Sequence, residues 1–342
     1  MSSSKSIAPA PTTRRERHRL VDALRGFALL GILVVNTEFF FQPIPVGWDG
    51  YDGPGDIAAR WIVAAFFQAK FYLLFSLLFG YGLSIQLDRA ARSGSDLRPR
   101  YLRRMAGLLV LGAAHAVLLF VGDILFLYAL VGTAAYALRH ASTGRLVRIG
   151  VTVYAVSSVF WLLVGLAAVL VDPAPATASA ESVRIYTDGG LSEVVGEHFR
   201  EWLEIFPAIL VAQGPSAFAL LLIGVALARG DWLSSADRHR ALAKRILLVA
   251  TPVGVAGGAV AATLSATGST GGGAQTLGFA VQFTFAPALT AAYVAALMLL
   301  LGPRPPRAFA WLEAGGRMSL TVYLSQSIIA TTLAYSYGAG LF

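Results

Sequence analysis

An apolar run long enough to cross a bilayer recurs about nine times along this chain, and the loops between the runs alternate in charge. The runs fall near residues 20–41, 57–87, 105–121, 124–138, 146–171, 206–228, 245–266, 275–301 and 308–335. The third and fourth are short against the roughly 20 residues that a span usually needs. Only 13% of the residues are charged while 56% are hydrophobic, too few charges to cover an aqueous surface. The bilayer is the solvent that resolves the mismatch, and within it the backbone must be helical or close into a barrel. The expected fold is therefore all-α, a polytopic transmembrane helical bundle of about nine spans.

Loop charge orients it. Arg14, Arg15, Arg17 and Arg19 precede the first run, whereas the next loop (QPIPVGWDGYDGPGD) carries three Asp and no basic residue. Arg89, Arg92, Arg98, Arg100, Arg103 and Arg104 follow, then a turn holding only Asp123, then Arg139, Arg145 and Arg148. Residues 172–204 are mostly acidic; beyond them come Arg229, Arg238, Arg240, Lys244 and Arg245, an uncharged TGSTGGGA loop, and Arg304 with Arg307. The positive-inside rule then places the N-terminus in the cytoplasm and this C-terminus outside, in a plasma (inner) membrane. The net charge of +8 is spent on these loops, so nucleic acid is not an expected partner. The first run follows a basic segment as a signal peptide would, but its length, its Asp22 and Arg25 and the missing cleavage site mark it as a retained helix.

Two regions fall outside the spans. Residues 1–19 read as a disordered, basic cytoplasmic segment, and 20–342 as a single transmembrane domain. Within it, 172–205 forms an outer-face loop, linker-like at DPAPATASA and amphipathic at LSEVVGEHFREWLEIF, which is expected to lie along the surface as a helix. There is no cysteine, which excludes disulfides and thiolate chemistry. His18, His115, His140, His198 and His239 show no metal-ligand spacing, so no metal is expected. No phosphate-binding glycine loop of the nucleotide-fold kind follows a strand.

An ionisable group at mid-span costs about 2.5–3.5 kcal/mol by insertion scales, so each needs a reason. Lys70 lies near mid-membrane, and so do His115 and Gln326; Asn36 and Glu38 lie toward the outer end of the first helix. The stretch LLVLGAAHAVLLFVGDILFLYALVG reads as a hairpin turning at Gly122 and Asp123, with arms short enough to keep the carboxylate inside the membrane profile. There it could meet His115 or Lys70, and a carboxylate beside an imidazole fixes its tautomer and raises its basicity. Blander roles stand beside these: Asp123 as a helix N-cap, His115 as a helix–helix hydrogen-bond partner, Lys70 as a snorkelling side chain. Asp22 and Arg25, three apart, read as an ion pair anchoring the first helix.

At these residues the chain resembles the YeiB family of bacterial polytopic membrane proteins. The matching pieces are LVDALRGFALLGILVVN (20–36), KFYLLFSLLFGYGLSIQLDRA (70–90), YLRRMAGLLVLGAAHAVLLFVGDILFLYALVG (101–132) and GGRMSLTVYLSQS (315–327). The first helix is also similar to that of transmembrane acyltransferases of the heparan-α-glucosaminide N-acetyltransferase type. Those take an acyl group from cytoplasmic acyl-CoA to an amine or hydroxyl on the far side, using a histidine in the first outer loop. Here that loop holds no histidine, which leaves His115 to take the role. The resemblance thus implies His115, Asp123, Lys70 and Asn36 as catalytic, with Lys70 or Asn36 stabilising the oxyanion. It implies Arg100, Arg103, Arg104 and Arg317 on the acyl-CoA phosphates, and Glu38 and Gln326 toward the substrate. The expected partners are membrane lipids, acyl-CoA, a cell-envelope acceptor and a second copy of the chain. Family members continue into one more helix beyond GRMSLT, so this chain is expected to be truncated or shortened. The competing expectations are a transporter or flippase with Lys70, His115, Asp123 and Glu38 as a relay, and a non-catalytic membrane subunit using 172–204 as a partner surface.

Overall fold

A computed structural model describes residues 16–42, 53–174, 179–233, 235, 238–266, 272–302 and 306–342. Residues 1–15 of the expected disordered segment 1–19, most of the first outer loop, the middle of DPAPATASA and most of TGSTGGGA lie outside the described residues, while 16–19 are helical. Among those described, all regular structure is helical: α1 (Glu16–Phe40), α2 (Pro54–Phe66), α3 (Lys70–Ser93), α4 (Arg98–Leu118), α5 (Leu125–Ala137), α6 (Thr143–Val171), α7 (Ala180–Asp188), α8 (Leu191–Arg229), α9 (Arg240–Ala266), α10 (Gly272–Leu301), a 3₁₀ turn at Arg307–Phe309, α11 (Ala310–Arg317) and α12 (Ser319–Ala334).

Seven of the described helical stretches are long and apolar enough to cross a membrane, with α2 and α3 forming one of them. The chain is a multi-pass membrane protein. α5 is apolar but short, as its sequence anticipated, and α11–α12 is divided at Met318.

The centre of the bundle is α1, α3 and α8. Leu20, Leu24, Leu29, Leu73, Leu74, Leu78, Leu220 and Leu221 are all buried there. α6 is the opposite case: Val156, Phe160, Leu163, Leu166 and Leu170 all face outward. A helix apolar on every side, with its outward face unpartnered, is one that meets lipid.

Since lipid supplies no hydrophobic drive between helices, close backbone approach has to come from small residues. α3 and α8 do this reciprocally: a Cβ on Gly80 would lie 1.9 Å from the Leu221 carbonyl oxygen, and one on Gly224 would lie 1.9 Å from that of Leu77. α1 and α11 meet the same way. A Cβ on Gly316 would strike the Asp22 carbonyl at 1.8 Å, and one on Gly26 the Leu312 carbonyl at 2.1 Å. The Arg19 guanidinium fastens this pair, donating at 2.9 Å to each oxygen of the buried Glu313 carboxylate.

Besides the division at Met318, regular helix gives way at two places in the interior among the described residues. The long second span is broken at residues 67–69, where Ala69 takes a left-handed conformation (φ 68°). Carbonyls beside the break find donors nearby. That of Val63 accepts from the Phe67 and Gln68 amides, that of Ala64 from Lys70 Nζ and Gln282 Nε2 at 2.9 Å each, and that of Phe66 from the Tyr293 hydroxyl at 2.7 Å. The other is the tip between α4 and α5, covered on the far side from the arginines. α7, the first turns of α8 and the C-terminal tail do the covering: the Tyr186 hydroxyl donates to Glu201 at 2.6 Å, His198 Nε2 lies 3.2 Å from the Tyr335 hydroxyl, and the Ser336 amide donates to the Tyr186 carbonyl at 3.1 Å.

The amphipathic segment LSEVVGEHFREWLEIF is helical, but it is the start of α8, continuous with the span, and not a separate surface helix. No breaker separates Glu204 from Phe206, and Pro207 and Pro215 are carried inside the helix. Its apolar and ionisable face is buried against α7 and the tail, with Glu197, His198 and Glu201 all buried.

The reciprocal α3–α8 contact makes a prediction. Gly224→Val in detergent-solubilised protein should lose about 3 kcal/mol, the upper end for overpacking, seen as a lowered Tm. Gly144→Ala, where nothing lies within 4 Å of the added carbon, should leave the Tm unchanged. Equal melting of the two variants would contradict the packing described.

Candidate active site

The α4–α5 hairpin turns at residues 119–124 and brings His115 and Asp123 together, as its sequence suggested. His115 Nδ1 lies 2.9 Å from Asp123 Oδ1, and both side chains are fully shielded from solvent. The other imidazole nitrogen, Nε2, lies 2.8 Å from the hydroxyl of Ser327 on α12. Ser327 is itself buried.

Were the Asp123 carboxylate ionised it could only accept, and Nδ1 would then carry the hydrogen and donate to it. Nε2 would keep its lone pair and accept from the Ser327 hydroxyl. Asp123 Oδ2 accepts in turn from the Phe126 amide at 2.7 Å. The N-cap position of α5 falls on Ile124 and not on Asp123, yet the carboxylate one residue earlier satisfies a first-turn amide of α5 with one oxygen and contacts the imidazole with the other. Gly112 makes room for it, since a Cβ there would lie 2.8 Å from Asp123 Oδ2 and 2.4 Å from the Phe126 nitrogen.

Two cavities flank this group. One, of about 810 Å³, is lined by Arg25, Arg89, Arg104 and Arg317 together with Asp22, Gln86 and an apolar wall. The other, of about 260 Å³, is lined by Asn36, Gln68, Tyr72, Gln213 and Gln282 among aromatic rings. Ile32, Ile124 and Tyr323 belong to the walls of both. The Tyr323 ring stacks obliquely 4.9 Å from the imidazole of His115, so the triad lies immediately behind the partition. Neither His115 nor Asp123 lines either cavity itself.

The other residues singled out from sequence divide. Asn36 lines the smaller cavity, and Arg104 and Arg317 line the larger one. Arg104 is steadied by a cation–π contact, 5.2 Å above the Phe79 ring. Arg100 and Arg103 are exposed and line neither cavity; their place on the α4 ridge is taken by Arg25 and Arg89 from neighbouring helices. Arg25 does pair with Asp22, at 3.1 Å, but on the cavity wall. Lys70 neither snorkels nor meets the imidazole. It is buried, and its ammonium serves the Ala64 carbonyl at the helix break, because a broken span in lipid must find donors for its freed carbonyls. Glu38 is half-buried with Arg60 as its charged neighbour. Gln326 is half-buried and lines neither cavity. Among the described residues, no group of three His, Asp or Glu is placed to hold a metal.

Ser327 is the residue that sequence reasoning missed. It lies in the GGRMSLTVYLSQS piece, where depth in the membrane points to the polar Gln326. A small hydroxyl in a helix usually bonds its own backbone, and nothing in the spacing sets Ser327 apart from Ser319 or Ser325. Its helical register was the available signal: Tyr323 and Ser327, four apart, share one face.

The four matching motifs all contribute to this geometry. The chain is 31% identical over 335 residues to the uncharacterized protein YeiB of Escherichia coli (strain K12), across 94% of this chain and 85% of that protein. This chain belongs to the YeiB family. The YeiB relationship extends to the uncharacterized protein YxaH of Bacillus subtilis (strain 168), 29% identical over 358 residues, covering 97% of this chain and 85% of that one. Residues 227–342 match the family described as a protein of unknown function (DUF418); that stretch includes Tyr323 and Ser327. No solved structure matches the chain.

Two variants probe the site. Asp123→Asn offers an amide donor to Nδ1 in place of an acceptor, and should move the His115 proton to Nε2; ¹⁵N shifts of histidine-labelled protein report the tautomer directly. Retention of the proton on Nδ1 would mean the carboxylate does not orient the ring. Gly112→Ala should displace the same carboxylate, and destabilise by about 1–3 kcal/mol through the unpaired buried groups it leaves, read as a fall in Tm.

Proposed function

We propose that this YeiB-family protein is a membrane-embedded acyltransferase that takes an acyl group from cytoplasmic acyl-CoA to an acceptor at the outer face of the plasma (inner) membrane. The carrying observation is the buried Asp123–His115 pair, at 2.9 Å, with the second imidazole nitrogen held to a hydroxyl at 2.8 Å. A base poised on a hydroxyl, with a carboxylate fixing its tautomer, is the constellation that activates an alcohol toward a carbonyl.

In this reading nine spans are formed by α1, α2–α3, α4, α5, α6, α8, α9, α10 and α11–α12. The N-terminus is cytoplasmic and the end of this chain outside, on the support of the alternating arginine-rich loops. The 810 Å³ cavity is then the cytoplasmic one, and Arg25, Arg89, Arg104 and Arg317 on its wall suit the phosphates of CoA, for which guanidinium is well matched. The smaller cavity receives the acceptor. His115 takes the acceptor proton at Nε2 while Asp123 stabilises the imidazolium that forms. Asn36, on the wall of that cavity, has an amide donor to offer the oxyanion. Tyr323 and Ile124 must yield for the two cavities to join at the imidazole.

The broken second span favours a second reading. Half-helices with engaged carbonyls occur in transporters, and the Lys70 ammonium at the 67–69 break would be a proton or substrate relay. Reconstituted vesicles separate the two. Uptake driven by a pH gradient and lost in Lys70→Met supports transport; acyl-CoA consumption lost in His115→Ala supports transfer.

For the acyl-transfer reading, CoA or acetyl-CoA at about 100-fold its Kd should stabilise the purified protein by about 2.7 kcal/mol, a rise in Tm that Arg104→Ala with Arg317→Ala weakens at least tenfold in CoA concentration. Absence of any shift with CoA, acetyl-CoA or palmitoyl-CoA, together with unchanged thioester consumption in His115→Ala, would remove the reading.

A further inference from the structure

We propose that Ser327 is a covalent acyl carrier: its hydroxyl takes the acyl group from the donor before the acceptor does, so that transfer proceeds in two steps through an acyl-serine. This rests on the acyl-transfer reading for the identity of the donor, a thioester, but the nucleophile itself is assigned from geometry alone. Ser327 Oγ lies 2.8 Å from His115 Nε2, and His115 Nδ1 lies 2.9 Å from Asp123 Oδ1. Nucleophile, base and orienter are therefore all within hydrogen-bond reach, in the order that a triad requires. Besides the imidazole, the Ser327 hydroxyl has one hydrogen-bond neighbour among the described residues, the Tyr323 carbonyl of its own helix at a long 3.4 Å, a weak competitor for the proton.

Position supports the role as well as contact. Tyr323 and Ser327 are one helical turn apart on α12, and Tyr323 is in the wall of both cavities. A carrier placed behind the partition can be loaded from the arginine-lined side and unloaded toward the amide-lined side, without donor and acceptor occupying the site together. Ser327 is buried like the imidazole and lines neither cavity, so Tyr323 must still yield for each of donor and acceptor, while the two-step route removes the need for them to converge at once. It also gives the buried hydroxyl a chemical reason to sit on the imidazole.

The steps balance. In the first, the Ser327 proton passes to His115 Nε2, Oγ bonds the thioester carbonyl carbon, the carbon–sulfur bond breaks, and the proton leaves with the thiolate as CoA thiol. In the second, His115 takes the proton of the acceptor hydroxyl or amine, whose oxygen or nitrogen bonds the carbonyl carbon. The Ser327 ester bond then breaks, and the proton returns to Oγ. No oxidant, reductant or further reactant is needed.

The test uses the full chain in detergent or nanodiscs, with two probes: ¹⁴C-labelled acetyl-CoA or palmitoyl-CoA, which requires the donor reading, and a fluorophosphonate, which reports an activated serine whatever the donor. Label from both should map to the α12 peptide, the acyl label being released by hydroxylamine, and both should vanish in Ser327→Ala and His115→Ala. CoA release should fall at least about 10³-fold in either variant, with thermal unfolding verifying that each is folded. CoA release that persists within twofold in Ser327→Ala but is lost in His115→Ala overturns the covalent carrier and leaves acyl transfer standing. Fluorophosphonate label on Ser327 with no acyl label and no CoA release keeps the activated serine and removes the acyl-CoA reading. No label from either probe overturns the carrier.

Discussion

Inside a bilayer there is no water to take up a stray backbone or side-chain polar group, and the whole arrangement of this YeiB-family protein follows from that one constraint. Regular helices meet it by themselves. The chain departs from them at the 67–69 break and at the 119–124 tip, and in both places side chains supply what the helix no longer does. At the break the donors are Lys70, Gln282 and Tyr293. At the tip an acceptor, Asp123, engages the Phe126 amide and the imidazole together. A lysine and an aspartate that look alike as intramembrane charges thus answer opposite needs: one end of a half-helix offers carbonyls, the other offers amides.

That distinction explains which parts of the structure could be read from the sequence. The helices are legible because apolar runs and arginine clusters are local signals. Each of the nine runs is helical, although α5 and α11–α12 fall below the length and continuity of an independent span. The His115–Asp123 contact was legible for the same reason, its partners being eight positions apart, one on the first arm of the hairpin and the other at its tip. Lys70 was not. Its depth was readable, but its partner depends on a break produced by three residues, 67–69, none of which is Gly or Pro. Ser327 lies 212 positions from His115, and no local pattern announces a contact that only α12 packing creates. The arginines failed in an instructive way: a cluster in sequence spreads around a helix, so Arg100 and Arg103 point away from the cavity that Arg104 lines, while Arg25, Arg89 and Arg317 converge on it from other helices.

The glycines show the same dependence on tertiary context. In water, Gly26, Gly80, Gly224 and Gly316 would weaken their helices. In this bundle each lies where a partner backbone passes within about 2 Å of the missing Cβ, so each sets how close two helices come. Two of them, Gly26 and Gly316, stand in separate motifs nearly 300 residues apart and make one contact. The α1–α11 crossing so formed puts Asp22 and Arg25 of one motif beside Arg317 of the other on the wall of the larger cavity. Packing and charge placement are consequently one feature, and a change in helix separation there moves the arginines with it.

The same coupling governs access to the buried imidazole. α12 carries Tyr323 in the partition and Ser327 on His115, one turn apart, and it begins after the discontinuity at Met318. The Tyr323 hydroxyl sits beside the Ile124 amide without a well-formed hydrogen bond, so the partition is held by packing and not by a strong polar latch. The His115–Asp123 pair, by contrast, is tied to the α4–α5 hairpin by the Phe126 amide, which donates to the second carboxylate oxygen. The partition residue Tyr323 and the His115–Asp123 pair therefore reside on different helices. In the proposed chemistry the base remains in place, and the element that closes the passage between donor and acceptor sides is the one that carries the serine.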